Sequence, residues 1–328
     1  MLSRVADNLY WMSRYLERAE HAARLIDVDL QQMLGQQAED AHQRWQRLRR
    51  SLHAPPGEGA EGAYSVTQAL TFDTTNSSSI ASCIAAAREN ARQVREQISS
   101  EMWEQINRLY LEIKRTSIDE IWYAEPHSFL ANIKESVQLF QGITDATMTH
   151  SEGWHFIRVG RFIERAMITA GLIDAYFSGY MQRLQEQPDT EPDPHQDYME
   201  WVGLLRACAA FEAYCKVYTA NIEPDKIAEF LLLNAESPRS VHFAAAMIQG
   251  ALQAIARVTN MRTGRVERLA GRLRAALDYD QIEDIMSDMH AYLENIQRQC
   301  TQIHNAIYQA YVVYPIDVAL IARGAAQA

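Results

Sequence analysis

Two stretches of the chain set arginine and glutamate at spacings suited to gripping an anion or moving a proton. Arg14, Glu17 and Arg18 lie within RYLERAEHAARLID, residues 14–27, and Arg161, Glu164 and Arg165 within RFIERAMITAGLID, residues 161–174. Aligned without a gap, eight of the fourteen positions are identical, which reads as an internal duplication. On a helix, residues three and four apart share one face, so each trio gathers on one side. A guanidinium holds a carboxylate or phosphate through paired hydrogen bonds, and a glutamate beside it either closes an ion pair or accepts a proton from an amine. Two readings follow. In the structural one the twin helices pack side by side, so that Glu17 meets Arg165 or Arg161 while Glu164 meets Arg18 or Arg14. In the functional one the four arginines line a cleft for an anion, and Glu17 or Glu164 serves as general base. The two can coexist.

A second basic stripe, Arg88, Arg92 and Arg95 at i, i+4 and i+7, could grip a carboxylate or phosphate, or pair with acidic neighbours across a bundle. Metal chemistry has little support. A carboxylate di-iron bundle needs Glu-x-x-His motifs on two helices with further glutamates facing them, and Glu152 to His155 stands at a helix start without such a set. Glu17 and His21 share the i, i+4 spacing, but the second copy carries Ile168 at the histidine position. Neither a metal nor a cofactor is expected. There is no Gly-x-Ser-x-Gly, phosphate-binding loop or dinucleotide fingerprint.

The elements that carry these residues are helical by period. Val5, Leu9, Met12, Leu16, Ala19, Ala23, Ile26 and Leu30 recur at intervals of four and three, and Phe156, Val159, Ile163, Ala166, Ala170, Ile173 and Phe177 do the same. The charged side of the first helix also bears Tyr10 and Leu25, which predicts that it is partly covered. Prolines punctuate the chain, strand signals are absent, and the spacing predicts an all-α helical bundle. Helices are expected near 3–34, 39–52, 77–98, from 99 or 100 with an apolar face running to Ile113, and near 118–123, 127–148, 152–184, 198–219, 224–233, 238–258, 264–277 and 280–313. Gly160 and Gly171, close together in angle on one helix, predict a close approach of another backbone. The organisation expected is one helical domain over 1–328, with halves 1–185 and 198–328 joined by the acidic, proline-rich tract 186–197.

Composition narrows the partners. A net charge of −11 argues against an extended phosphate-backbone interface. With 48% hydrophobic residues the chain can bury a core. No apolar run approaches a bilayer's span, the opening lacks a signal-peptide pattern, and the four cysteines form no Cys-x-x-Cys pair. The expectation is a cytoplasmic protein with free thiols, bound to neither nucleic acid nor membrane.

The opening MLSRVADNLYWMSRYLERAEHAARLID, the stretch Ser77 to Arg95 containing ARENAR, and LLLNAESPRSV from Leu231 to Val241 together resemble the bacterial alpha-E family, named for its helices and its Glu-Arg motif. The resemblance runs through essentially the whole chain. It implies an all-helical fold and an origin beside circularly permuted ATP-grasp and transglutaminase-like proteins. The implied role is a helical component of an amide-bond-forming system that binds an ATP-grasp-type ligase or an anionic small molecule or peptide. The alternative is a stand-alone enzyme working on an amine or carboxylate through its Glu/Arg cleft.

Overall fold

Helix α1 (Ser3–Gln32) is the centre about which the other helices assemble. Its apolar stripe from Val5 to Leu30 is buried, and so are Tyr10, Arg14, Glu17, His21 and Leu25 on the side that a surface helix would turn to water. α8 (Glu152–Glu186) covers that second side. The two cross where Gly160 meets Tyr10 and Ser13: a Cβ at residue 160 would stand 2.3 Å from the Tyr10 carbonyl oxygen and 2.2 Å from Ser13 Oγ. Gly171 differs from the expectation, since a Cβ there would touch only the end of Gln297 at 3.9 Å.

The computed structural model describes residues 1–33, 38–52, 62–186, 194–219, 221–259 and 264–312. Among them the protein is all-α, with fifteen α-helices and no strand. α4 (Ile80–Gln93) and α7 (Pro126–Thr147) pack on α1, and α12 (Val241–Val258) and α15 (Met289–Ile307) pack on α8. α5 (Ser100–Arg115) lies over α4 and α7, and α13 (Arg265–Tyr279) over α12 and α15. The remaining helices are α2 (Ala38–Ser51), α3 (Ala63–Thr71), α6 (Ile118–Tyr123), α9 (Pro194–Ala207), α10 (Phe211–Tyr218), α11 (Pro224–Leu233) and α14 (Ile282–Ser287). Most of the buried apolar side chains of these elements make one connected cluster.

Local chemistry explains most boundaries. Ser79, Ser99 and Ser240 each accept a hydrogen bond from the backbone N–H three residues on, and so cap α4, α5 and α12. Ser117 and Glu120 form a reciprocal capping box at α6. Proline opens α7 and α11, where its missing N–H is harmless. The structure departs from the expected segments at several points. The helix expected from 77 starts at Ile80, after its Ser79 cap, and that expected from 238 starts at Val241. A helix expected over 198–219 is two, α9 and α10, parted at Ala209, whose φ is 50°. A helix expected over 280–313 is broken at Asp288, which caps α15 through its side chain. α3 has no counterpart among the expected segments. Most of the 186–197 tract lies outside the described residues, although α9 begins within it at Pro194.

α12 also corrects the hydropathy reading. By length and composition its 18 residues are apolar enough to cross a bilayer, with mean hydropathy 1.2, yet the helix packs between α8 and α13 with Val241, Ala245, Ile248 and Leu252 buried.

Candidate functional site

The twin segments meet across the α1–α8 crossing and exchange ion pairs in both directions. Arg165 forks onto Glu17, Nε to Oε1 at 2.6 Å and Nη2 to Oε2 at 2.9 Å. In return Glu164 accepts from Arg18 Nε at 2.7 Å and from Arg14 Nε at 2.6 Å. Burial works to raise the Glu164 carboxyl pKa, but Arg14 and Arg18 outweigh it and hold the group below the ordinary carboxylate range. A carboxylate so held is a weak proton acceptor. Glu17 is similarly engaged, since besides Arg165 it accepts from Arg239 at 3.3 Å and from Gln141 Nε2 at 3.4 Å.

Arg161 is the exception among the six. It makes no hydrogen bond to Glu17, and its nearest carboxylate oxygen is on Asp145 at 3.9 Å. Burial, then the like charge of Arg165, depresses its pKa. The partner that Glu17 takes instead is Arg239, in the loop ahead of α12. Arg239 also binds Glu20 at 3.0 and 2.9 Å, and Glu20 pairs with Arg24 on its own helix. Burial alone would raise the Glu20 carboxyl, and Arg239 and Arg24 reverse that. The loop is held in turn by α8, as Arg165 donates to the Pro238 carbonyl at 3.0 Å and Thr169 to that of Arg239 at 3.4 Å. Glu20, Arg24 and Arg239 escaped the sequence reading. Glu20 and Arg24 carried a signal, a charged i, i+4 pair on an otherwise buried helix, whereas Arg239 was marked only by its place in the stretch Leu231 to Val241 that carries the family resemblance.

Arg88 and Arg92 belong elsewhere. Arg88 donates to Asn107 Oδ1 at 2.8 Å and lies over the rings of Trp103 and Tyr110 on α5. Arg92 is exposed and pairs with Glu89 on its own helix. Among the described residues neither pairs with an acid across the bundle: Arg88 meets aromatic rings and an amide on α5, and Arg92 stands in solvent.

Beside the Glu164 cluster lies a cavity of about 200 Å³. Arg14, Arg18 and Glu164 form its charged wall, and Leu52, Met167 and Ile168 its apolar one. Ser51 at the end of α2, Ser78 ahead of α4, His21 and Gln297 complete it. Arg18 spends only Nε on Glu164, and among the described residues its two η nitrogens have no hydrogen-bond partner. The buried Ser51 Oγ and His21 Nε2 are likewise without partners there. Burial lowers the His21 pKa to about 4, so its ring is neutral at pH 7. The fixed charges of this wall, two guanidiniums and one carboxylate, leave it one positive charge in excess.

Other chemistry is sparse. No group of three or more His, Cys, Asp or Glu side chains stands ready for a metal among the described residues. The four cysteines are free, and burial pushes the thiols of Cys83, Cys208 and Cys300 up to about 12, so they are poor nucleophiles.

A helical bundle whose two longest described helices are clamped together by crossed Glu-Arg pairs defines a class of all-α domain built on that motif. Residues 1–312 match the alpha-E family, described as a predicted alpha-helical domain with a conserved ER motif, and the chain belongs to that family. It is similar to an uncharacterized protein of Mycobacterium bovis, 24% identical over 309 residues that cover 87% of this chain and 34% of the other. Uncharacterized proteins of two Mycobacterium tuberculosis strains show the same identity and coverage. The chain therefore spans about a third of the length of the curated relatives it matches. No solved structure matches it.

Proposed function

We propose that this chain is a non-catalytic helical module that holds an anionic or peptidic substrate for an ATP-grasp-type ligase in an amide-bond-forming system, with a transglutaminase-like protein as a further partner. The observation that carries the reading is the cavity in which Arg18 offers two unengaged η nitrogens beside a wall of net positive charge. The engagement of Glu17 and Glu164 by arginines favours binding over general-base catalysis. Activation of the substrate by ATP falls to the ligase. The reading is tested by mixing the purified chain with such a ligase and following complex formation by size-exclusion chromatography and ligase turnover with and without the chain. Co-elution or altered turnover is expected; neither occurring would reject it.

The module is further read as two copies of one helical unit, α1 to α7 and α8 to α15, with the seam proposed at 148–151 instead of the joint expected over 186–197. Support comes from the order of elements. Each half runs from a long Glu-Arg helix to a serine-capped helix, then through a six-residue helix, α6 or α14, to a helix that packs back on the first. The aligned aspartates play one role: Asp27 pairs with His127 in the second residue of α7, and Asp174 with His290 in the second residue of α15.

A further inference from the structure

The two halves treat one position differently, and the difference identifies what the cavity takes. Counting from the caps Ser79 and Ser240, Ser78 in the first half corresponds to Arg239 in the second. On the Glu-Arg helices, Met167 corresponds to Glu20 and Ile168 to His21. In one setting the Arg239 side chain runs from its loop to Glu17 and Glu20 and fills the slot. In the other, Ser78 is too short to reach Glu164, Met167 offers no charge, and the cavity of about 200 Å³ stands in the corresponding place. The slot is thus shaped for an unbranched chain with one planar polar end, but its charge is reversed. Where Arg239 meets two carboxylates, the cavity meets Arg14 and Arg18 with one carboxylate between them.

We infer that this cavity binds an organic monocarboxylate with a short unbranched apolar body, the carboxylate on the η nitrogens of Arg18 and the body along Leu52, Met167 and Ile168. A planar carboxylate matches the guanidinium fork, and a single negative charge balances the wall, whereas a phosphate dianion would leave one charge in excess. Ser51 Oγ and neutral His21 Nε2, buried without partners, supply the remaining hydrogen bonds. This deepens the proposed function and rests on its anion-holding reading; it makes the substrate a free short carboxylic acid or the C-terminus of a peptide.

The test is calorimetric titration of the full chain with butyrate, with a blocked dipeptide bearing a free C-terminus, and with inorganic phosphate. Binding of butyrate or the dipeptide in preference to phosphate is expected, and the stronger of the two names the source of the carboxylate. Arg18→Gln should weaken it about tenfold or more, the loss that accompanies removal of a charged hydrogen-bond donor. The double variant Ser78→Arg/Met167→Glu should plug the cavity as Arg239 plugs its counterpart, abolishing binding while thermal unfolding stays cooperative. Preferential phosphate binding would overturn the monocarboxylate while leaving an anion site. Absence of all binding would overturn both. Unchanged butyrate affinity in Arg18→Gln, or in a folded double variant, would overturn the location.

Discussion

Arg165 and Glu17 stand 148 residues apart and form a buried two-point ion pair, with side-chain exposures of 8% and 2%. Removing one member of such a pair leaves the other charged and out of water, at a cost of about 3–5 kcal/mol. Glu17→Ala should therefore lower the unfolding free energy by about that amount. The Arg92–Glu89 pair, with both side chains more than half exposed, is the contrast. Arg92→Ala should leave the denaturant midpoint unchanged. Urea titrations of the two variants beside the parent check this, and equal midpoints for all three would refute the burial argument.

Arg239 joins the loop ahead of α12 to the acidic side of α1. Arg239→Met keeps an apolar stem but strands Glu20, which is fully buried and retains only Arg24. The expected result is a loss of about 3 kcal/mol or more and faster amide exchange at Ser237 and Ser240, read by hydrogen–deuterium exchange. Unchanged protection of the loop would mean that Asn234, whose side chain accepts from the Glu236 and Ser237 amides, holds it unaided.

How much of this was legible from sequence depends on separation along the chain. The pairing of Glu17 with Arg165 and of Glu164 with Arg14 and Arg18 could be read because the motif recurs and helical spacing fixes the face. The failure of Arg161 to join it could not, since Arg239, which takes its place, lies 222 residues from Glu17. The cavity was invisible for the same reason: Ser51, Ser78 and Gln297 come from a helix end, the residue before a cap and a distant helix. The break at Ala209 was missed because no glycine or proline marks it, and that at Asp288 because an aspartate cap resembles any surface aspartate within a helical period. Prolines at 126 and 224, by contrast, put helix starts within a residue of where they lie.

Glycine substitutions separate close approach from incidental placement. At Gly160 an added methyl meets the Tyr10 carbonyl oxygen at 2.3 Å, and backbone there cannot yield without moving α1 off α8. Gly160→Ala should destabilise by about 1–3 kcal/mol despite the better helix propensity of alanine. Gly142 and Gly250 lie in α7 and α12 with nothing within 4 Å of a built Cβ. There the same change should stabilise by about 0.5–1 kcal/mol. Thermal unfolding of the three variants tests the sign, and a stabilising Gly160→Ala would place the helix crossing elsewhere.

Two buried groups should tilt stability in opposite directions with pH. Asp29 faces Arg44 and Arg47 from α2, Tyr176 from α8 and Glu200 from α9, and burial raises its pKa from 3.8 to about 7. Between those values the native state keeps a proton that the unfolded chain has released, so this residue makes stability fall as pH rises from about 4 to 7. His21 faces Glu17, Glu20 and Arg24 on its own helix and Arg239 from the loop, and burial, with a smaller effect from Arg239, lowers its pKa from 6.5 to about 4. Here the unfolded chain binds the extra proton, so stability rises with pH between 4 and 6.5 and is lost as pH falls through that window. Each pKa unit is about 1.4 kcal/mol, so either slope alone amounts to about 3–4 kcal/mol. The contributions of these two groups nearly cancel between about pH 4.5 and 6.5. Asp29→Asn removes the falling arm and His21→Gln the rising one. Relative to the parent, midpoints measured at several pH values should therefore climb with pH in Asp29→Asn and decline with it in His21→Gln. Parallel profiles for both variants and the parent would show that neither group keeps its buried charge state.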